Sequence, residues 1–290
     1  MDVPVVFISH NNNGVFKKSI ESFFENTTEI YSLHIVDNAS TDIDHISYLQ
    51  ALDNKSNVTV WFNKKNLFVL GLNNCLEYLS NSNYPYYAVC DSDFTYPEKI
   101  DATCWLSAFV EEMDNSPHIG KLGLSISLDN IKNDEQLASI YKREISFSKF
   151  SLTSNIWKAS VDTTPAIYRS DFFVWNDFKF FPGHMTAFKP FYYTGRHKFY
   201  TGYHMGWDAD EYKSNGSSVN REKVISFALY GGAIDSTVLK KVSVVLRIQY
   251  FSIKFISSLY WRTFKAFHFF KYLFKNRIFL MNECMYRDLE

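Results

Sequence analysis

Four short apolar runs recur within about the first 110 residues: Val3–Ser9 (VPVVFIS), Leu33–Asp37 (LHIVD), Val58–Phe62 (VTVWF) and Tyr86–Cys90 (YYAVC). Runs of this length, rich in β-branched and aromatic residues, predict strands buried on both faces. Helical spacing follows each one. Val15, Phe16, Ile20, Phe23 and Phe24 place a helix over Val15–Phe24, and further helices are expected at Ile43–Leu52, Leu67–Leu79 and Glu98–Met113, the last started by Pro97. Strand–helix alternation repeated four times predicts a parallel sheet with helices on both faces, joined by right-handed crossovers. The strand ends at residues 9, 37 and 91 then share one edge, the edge where open α/β sheets bind ligands.

That edge is rich in oxygen donors. The fourth run ends in Asp91-Ser92-Asp93, and two carboxylates one residue apart can converge on a hard cation such as Mg²⁺ or Mn²⁺. The competing reading is a solvated turn. The first run ends in His10-Asn11-Asn12-Asn13-Gly14 and the second in Asn38-Ala39-Ser40-Thr41-Asp42, dense in helix-capping residues.

Composition narrows the classes. The 290 residues carry a net charge of −1, so the overall balance points away from nucleic acid. Cys75, Cys90, Cys104 and Cys284 form no CxxC pair or metal spacing and read as reduced core thiols of a cytosolic protein. The opening MDVPVVFISH lacks the basic segment and longer apolar run of a signal peptide, and no stretch of about 18 uncharged apolar residues predicts a transmembrane helix.

In order and spacing, VVFISHNNN, IVDNASTD, NKKNLFVLGLNNCLEY and AVCDSDF resemble the family 2 glycosyltransferases of the GT-A fold, inverting enzymes that include bacterial surface-polysaccharide transferases. The most specific element is Asp-Asn-x-Ser-x-Asp directly after a strand. The resemblance covers residues 3–113 and thins beyond. It implies a Rossmann-like, mostly parallel central sheet flanked by helices, and a nucleotide-diphosphate sugar as donor. Ser9 and Asn11 would line the nucleoside pocket, Asp37 would bind the base, and Asn66 and Gly71 would approach the nucleotide. Asp91, Ser92 and Asp93 would hold the ribose and a metal–diphosphate, with Mn²⁺ or Mg²⁺ as the cofactor. Read without the resemblance, Asp37 is a helix N-cap and Gly71 a packing glycine.

The second half is less regular. Ile119–Ser127 and Val161–Tyr168 read as strands, and Asp129–Asn155 as a polar surface excursion with a helical patch at Glu135–Tyr141. In the family the strand near residue 162 lies beside the acceptor, which makes Asp162 a candidate carboxylate; the plainer reading is an inward Asp satisfied by Thr163 or Thr164. From Asp171 to Trp207, 14 of 37 residues are aromatic, which suits both core packing and the apolar face of a sugar. Then comes His204-Met205-Gly206-Trp207-Asp208-Ala209-Asp210-Glu211. In the family an acidic residue after a Gly/Trp-rich loop is the general base. The run departs from the usual Glu-Asp-x-Asp form, so Asp208, Asp210 and Glu211 all remain open, with Asp208 preferred. His204 is a candidate metal or diphosphate ligand, or a structural histidine. Lys213–Lys223 reads as a polar loop able to close over the donor.

The division expected is a GT-A domain over 1–237, with a nucleotide half (1–113) and an acceptor half (114–237), followed by a basic, aromatic helical appendage over 238–290. From Lys240 to Asn282 there are nine Lys or Arg and no Asp or Glu. Such a segment cannot cross a bilayer cheaply but can lie in its interface. It places the protein on the inner face of the cell membrane and favours a glycan or lipid-linked acceptor. The alternatives are helices packed on the sheet or in a homodimer interface. Two other function classes compete: a nucleotidyltransferase, which would need a Gly-rich basic loop that HNNNGVFKK lacks, and a non-catalytic glycan- or membrane-binding protein, which the set Asp37, Asp91 and Asp93 opposes.

Overall fold

The computed structural model describes residues 2–28, 31–82, 84–135, 137–161, 165–170, 192–208, 221–229, 234, 239–240 and 242–276. The predicted alternation is present. β1 (Val3–Ser9), α1 (Asn13–Asn26), β2 (Tyr31–Asp37), α2 (Ile43–Asp53), β3 (Val58–Phe62), a 3₁₀ turn at Phe68–Leu72 continuing into α3 (Asn73–Ser80), and β4 (Tyr86–Cys90) follow in order. β1 pairs parallel with β2 and β4, and β2 with β3. The register sets Ser9 beside Asp37 and Phe7 beside Cys90, so these strands all open onto one edge.

Alternation of side chains along the strands explains the two layers. Val3, Val5 and Phe7 of β1, with Tyr86, Ala88 and Cys90 of β4, pack under Phe16, Ile20 and Phe23 of α1 and Leu49 and Leu52 of α2. Val6 of β1, with Tyr87 and Val89 of β4, meets Cys75, Leu76 and Leu79 of α3 on the other face. Every residue of β4 is buried, as a doubly covered central strand requires.

The rest of the sheet is mixed. β5 (Phe94–Thr95), α4 (Trp105–Asn115), β6 (Ile119–Ile126), α5 (Ala138–Ser146), β7 (Ile156–Lys158), β8 (Ala166–Arg169) and β9 (Tyr193–His204) complete it. The strand order is β3-β2-β1-β4-β8-β6-β9-β5, with β7 against β9. β8 runs antiparallel between β4 and β6, and β5 and β7 run antiparallel to β9; the other six strands share one direction. β8 is shorter than the expected Val161–Tyr168, and residues 162–164 lie outside the described residues.

Several boundaries differ from expectation, among them the helical patch expected at Glu135–Tyr141, which is Ala138–Ser146. α4 begins at Trp105, not Glu98, because the residues that can be buried (Trp105, Leu106, Phe109, Met113) begin there. Before it, Ile100 and Thr103 exchange backbone hydrogen bonds across Asp101 and Ala102, whose φ values of 48° and 65° define a tight primed turn. The helix expected over Leu67–Leu79 starts as a 3₁₀ turn over Phe68–Leu72 and becomes α-helical only from Asn73. The polar loop expected at Lys213–Lys223 ends inside α6 (Arg221–Leu229), and its earlier residues lie outside the described set. The basic tail contains one long helix, α7 (Val244–Asn276), which packs on α6 through Val224, Ala228 and Tyr250.

Candidate active site

The Asp91–Asp93 turn is held by the strands around it. Antiparallel pairing of β5 with β9 sets Phe94 opposite His204, and the Met205 N–H donates to the Asp93 carbonyl at 2.8 Å. Asp93 and His204, 111 positions apart in the chain, thereby face each other: Nδ1 of His204 lies 3.7 Å from Oδ2 of Asp93. The imidazole is 6% exposed and stacks on Trp207 with 4.5 Å between ring centres and 4° between planes. Gly206 makes the approach feasible, since a Cβ there would come within 2.2 Å of Asp93 Oδ2. Asp91 and Ser92 lie half-buried at the end of β4.

Nδ1 of His204 is buried and has no hydrogen-bond partner. Burial lowers its pKa, against the pull of the Asp93 charge, which leaves a neutral ring able to donate a lone pair. Among the described residues no group of three or more His, Cys, Asp or Glu forms a closed metal cage. Two protein donors on an open edge nevertheless fit a cation of the Mg²⁺ or Mn²⁺ kind, which takes the remainder of its shell from phosphates and water.

The loops after β1 and β2 are laced together. Oδ1 of Asn11 accepts from the N–H groups of Thr41 and Asp42 at 2.6 and 3.0 Å, while the Asn11 N–H donates to Ser40 Oγ at 2.9 Å. Asp37, 3% exposed, accepts from the Ser40 N–H and hydroxyl. The N-cap of α2 is Asp42, so Asp37 is not that cap. Ser9 is turned inward, its hydroxyl hydrogen-bonded at 2.7 Å to Nε2 of the fully buried His45. The Ser9 hydroxyl is thereby committed to the core beneath these loops and is not offered outward.

A second knot joins the loop after β3. Asn38 accepts from the Leu67 N–H at 3.1 Å and donates to the Phe68 carbonyl at 2.9 Å. Asn63 bridges Asn38 and the Gly71 carbonyl, each at 3.2 Å. A Cβ on Gly71 would strike Asn38 Oδ1 at 2.4 Å, so this glycine is required for close packing. Asn66 accepts from the Phe68 N–H at 2.9 Å. Among the described residues five non-glycine residues have positive φ, and three of them, Asn11, Ala39 and Phe68, sit in these loops. Backbone strain gathered at one sheet edge is typical of sites where geometry serves a ligand.

Asp208 follows the Met205–Trp207 turn, exposed, and accepts from the Tyr203 hydroxyl at 3.1 Å. Asp162, Asp210 and Glu211 lie outside the described residues. His45, Asn38, Asn63 and Gly206 escaped sequence reasoning. Asn38 lay within the IVDNASTD motif that carried the resemblance, which was the available signal.

The fold and its edge define a class: a GT-A sheet with carboxylates along the strand ends. The sequence matches Glycosyl transferase family 2 over residues 5–189, and the chain belongs to that family. Among solved structures it is similar to S. aureus TarS 1–349 in complex with UDP-GlcNAc, at 14% identity and TM-score 0.52 over 87% of this chain and 79% of that one. It is also similar to the mannosyltransferase PcManGT from Pyrobaculum calidifontis in complex with GDP-Man and Mn²⁺, at 11% identity and TM-score 0.51 over 94% and 86%. GalNAc-T7 with UDP, GalNAc and Mn²⁺ matches at 13% identity and TM-score 0.49; 78% of this chain covers 48% of that one, so the chain spans about half its length. A search of curated proteins finds no significant match. The chain is a glycosyltransferase of this family, and the nucleotidyltransferase reading falls away.

Proposed function

We propose that the protein moves a hexose from a nucleoside-diphosphate donor to a hydroxyl of a glycan or lipid-linked acceptor, with inversion at the anomeric carbon. The observation that carries this reading is the Asp93–His204 pair, held 3.7 Å apart by Gly206 at the sheet edge that also carries Asp37. Asp37 and the Asn11–Ser40 clasp bind the nucleoside, with Asn66 and Gly71 closing the loop behind it. Asp91, Ser92 and Asp93 meet the ribose and diphosphate. Asp93 and His204, with Asp91 alongside, are the residues that would hold Mn²⁺ or Mg²⁺, and a bound cation would neutralise charge on the leaving diphosphate. The donor-bound neighbours, one with UDP-GlcNAc and one with GDP-Man and Mn²⁺, support this class of donor and metal.

Asp208 is the proposed general base. Its exposed carboxylate takes the acceptor hydroxyl proton as that oxygen attacks the face opposite the diphosphate, and the Tyr203 hydroxyl fixes its orientation. Asp162 and Asp210 are the reserve carboxylates on the acceptor side. The setting we assign, by analogy within the family, is assembly of a bacterial surface polysaccharide such as capsule, lipopolysaccharide or O-antigen. The experiment is release of nucleoside diphosphate from a panel of nucleotide sugars with oligosaccharide and lipid-linked acceptors. Asp208→Asn is expected to lower kcat by about 100-fold or more and leave donor binding intact. Unchanged turnover in that variant would remove Asp208 from the role.

A further inference from the structure

Helix α7 buries one side and exposes another. On the inner side Tyr250 is 1% exposed among Val224, Ala228 and Leu239, Ser257 donates to the Ala228 carbonyl, and the Trp261 indole N–H donates to the Leu229 carbonyl at 2.7 Å. These contacts fix the helix rotation. Away from them Val244, Ile248, Phe251, Phe255, Ile256 and Leu259 are each between 57% and 76% exposed. Five of the six follow one another at intervals of three or four residues and form a single stripe. An exposed apolar stripe of this extent marks an interaction surface.

Charge identifies what covers it. The helix contains six Lys or Arg (Arg247, Lys254, Arg262, Lys265, Lys271 and Lys275) and no Asp or Glu. A second copy of α7 would set like charge against like, whereas an anionic bilayer surface is complementary to it. Arg247 is already committed, donating to the carbonyls of Leu239, Lys240 and Val242, and so anchors the helix start. Lys254, which donates to the Tyr250 hydroxyl at 2.9 Å, and Arg262 line a groove of about 410 Å³ together with Phe251, Phe255, Ser258 and Leu259. Apolar groups between two cations match the step from acyl chain to headgroup phosphate. None of the helices among the described residues is long and apolar enough to cross a membrane.

We propose that α7 lies flat on an anionic phospholipid surface, its Val244–Leu259 stripe inserted at the acyl boundary and Lys254 and Arg262 at the level of the phosphates. The glycosyltransferase reading is independent of this, since lipid binding requires neither nucleotide nor turnover. The test is co-sedimentation of the full chain with phosphatidylcholine vesicles containing about 30% phosphatidylglycerol, and with phosphatidylcholine alone, at low and high salt. The wild type is expected to bind the anionic vesicles at least about tenfold more tightly, and Phe255→Asp/Leu259→Asp to lose that binding by about tenfold or more at an unchanged melting temperature. Arg262→Glu, on an exposed side chain, should weaken binding to the anionic vesicles alone. Equal affinity for both vesicles, absence of binding, or full binding by the double variant would overturn the proposal. So would a wild-type dimer that ignores vesicles and dissociates on the double substitution, which would assign the stripe to a second copy.

Discussion

At Gly206 a single hydrogen atom separates a working geometry from a clash. A methyl group there would meet Asp93 Oδ2 at 2.2 Å and the His204 ring at 2.9 Å, so one of the two side chains must move. Gly206→Ala is expected to weaken metal-dependent nucleotide binding by about tenfold or more while the melting temperature stays within a few degrees, because the turn is at the surface edge of the sheet. Calorimetric titration of the variant checks this; wild-type affinity would show that Asp93 and His204 need not be held together. Sequence reading and structure diverge here in an instructive way. The candidate carboxylates Asp37, Asp91 and Asp93 stand out in the sequence because they lie at or just past the ends of apolar runs, and a change of polarity at a strand end is local information. The requirement at Gly206 is set by the β5–β9 pairing, which joins residues more than a hundred positions apart and leaves no local mark. Ser9 shows the opposite case: its position at the sheet edge was legible, but its inward hydrogen bond to His45 depends on how α2 packs.

The elements around β9 carry a pH sensitivity of their own. His197 is buried, stacks on Phe109 with 5.4 Å between ring centres, and uses Nδ1 to accept from the Phe199 and Tyr200 N–H groups. Burial lowers its pKa to about 4. An unfolded histidine takes up its proton near pH 6.5, so the unfolded chain binds a proton that the folded chain refuses until about pH 4. Stability from this group is complete above the unfolded value and falls as pH drops through that window, by roughly 3 kcal/mol in total. Burial lowers the pKa of His34, His45 and His204 in the same direction. His197→Gln keeps a hydrogen-bond acceptor without the titration, so urea unfolding between pH 7 and about 4 should show a shallower acid limb than the wild type. An identical limb in both would mean that His197 titrates normally. Element boundaries were readable where apolar period and capping agree, as at α2, and misread where Pro97 imitated a helix start. The first residues after Pro97 have nothing to bury, and burial decided the outcome.

Across the whole molecule, the first half of the sheet, β1 to β4, was the more legible. Its strands repeat with a fixed sense, so a short stretch of chain constrains the next. The second half mixes strand directions, inserts β8 between β4 and β6, and recruits α5 through a buried ion pair between Arg196 and Glu144 at 2.6 Å. No period in the sequence announces such long-range partners. The tail was legible as composition, basic and aromatic without acids from Lys240 to Asn282, and the structure adds which of its described residues face outward. The central claim rests on the donor edge, and it is tested most directly by thermal unfolding of the full chain with UDP, GDP, TDP and CDP, with and without Mn²⁺, for wild type and Asp93→Ala. One nucleotide should raise the wild-type melting temperature by roughly 5 °C or more at a hundredfold excess over its Kd, only with the metal present and only when Asp93 is intact. Stabilisation that persists without metal or in Asp93→Ala, or no stabilisation by any of the four in well-folded protein, would contradict the account and return the chain to the class of non-catalytic binding proteins.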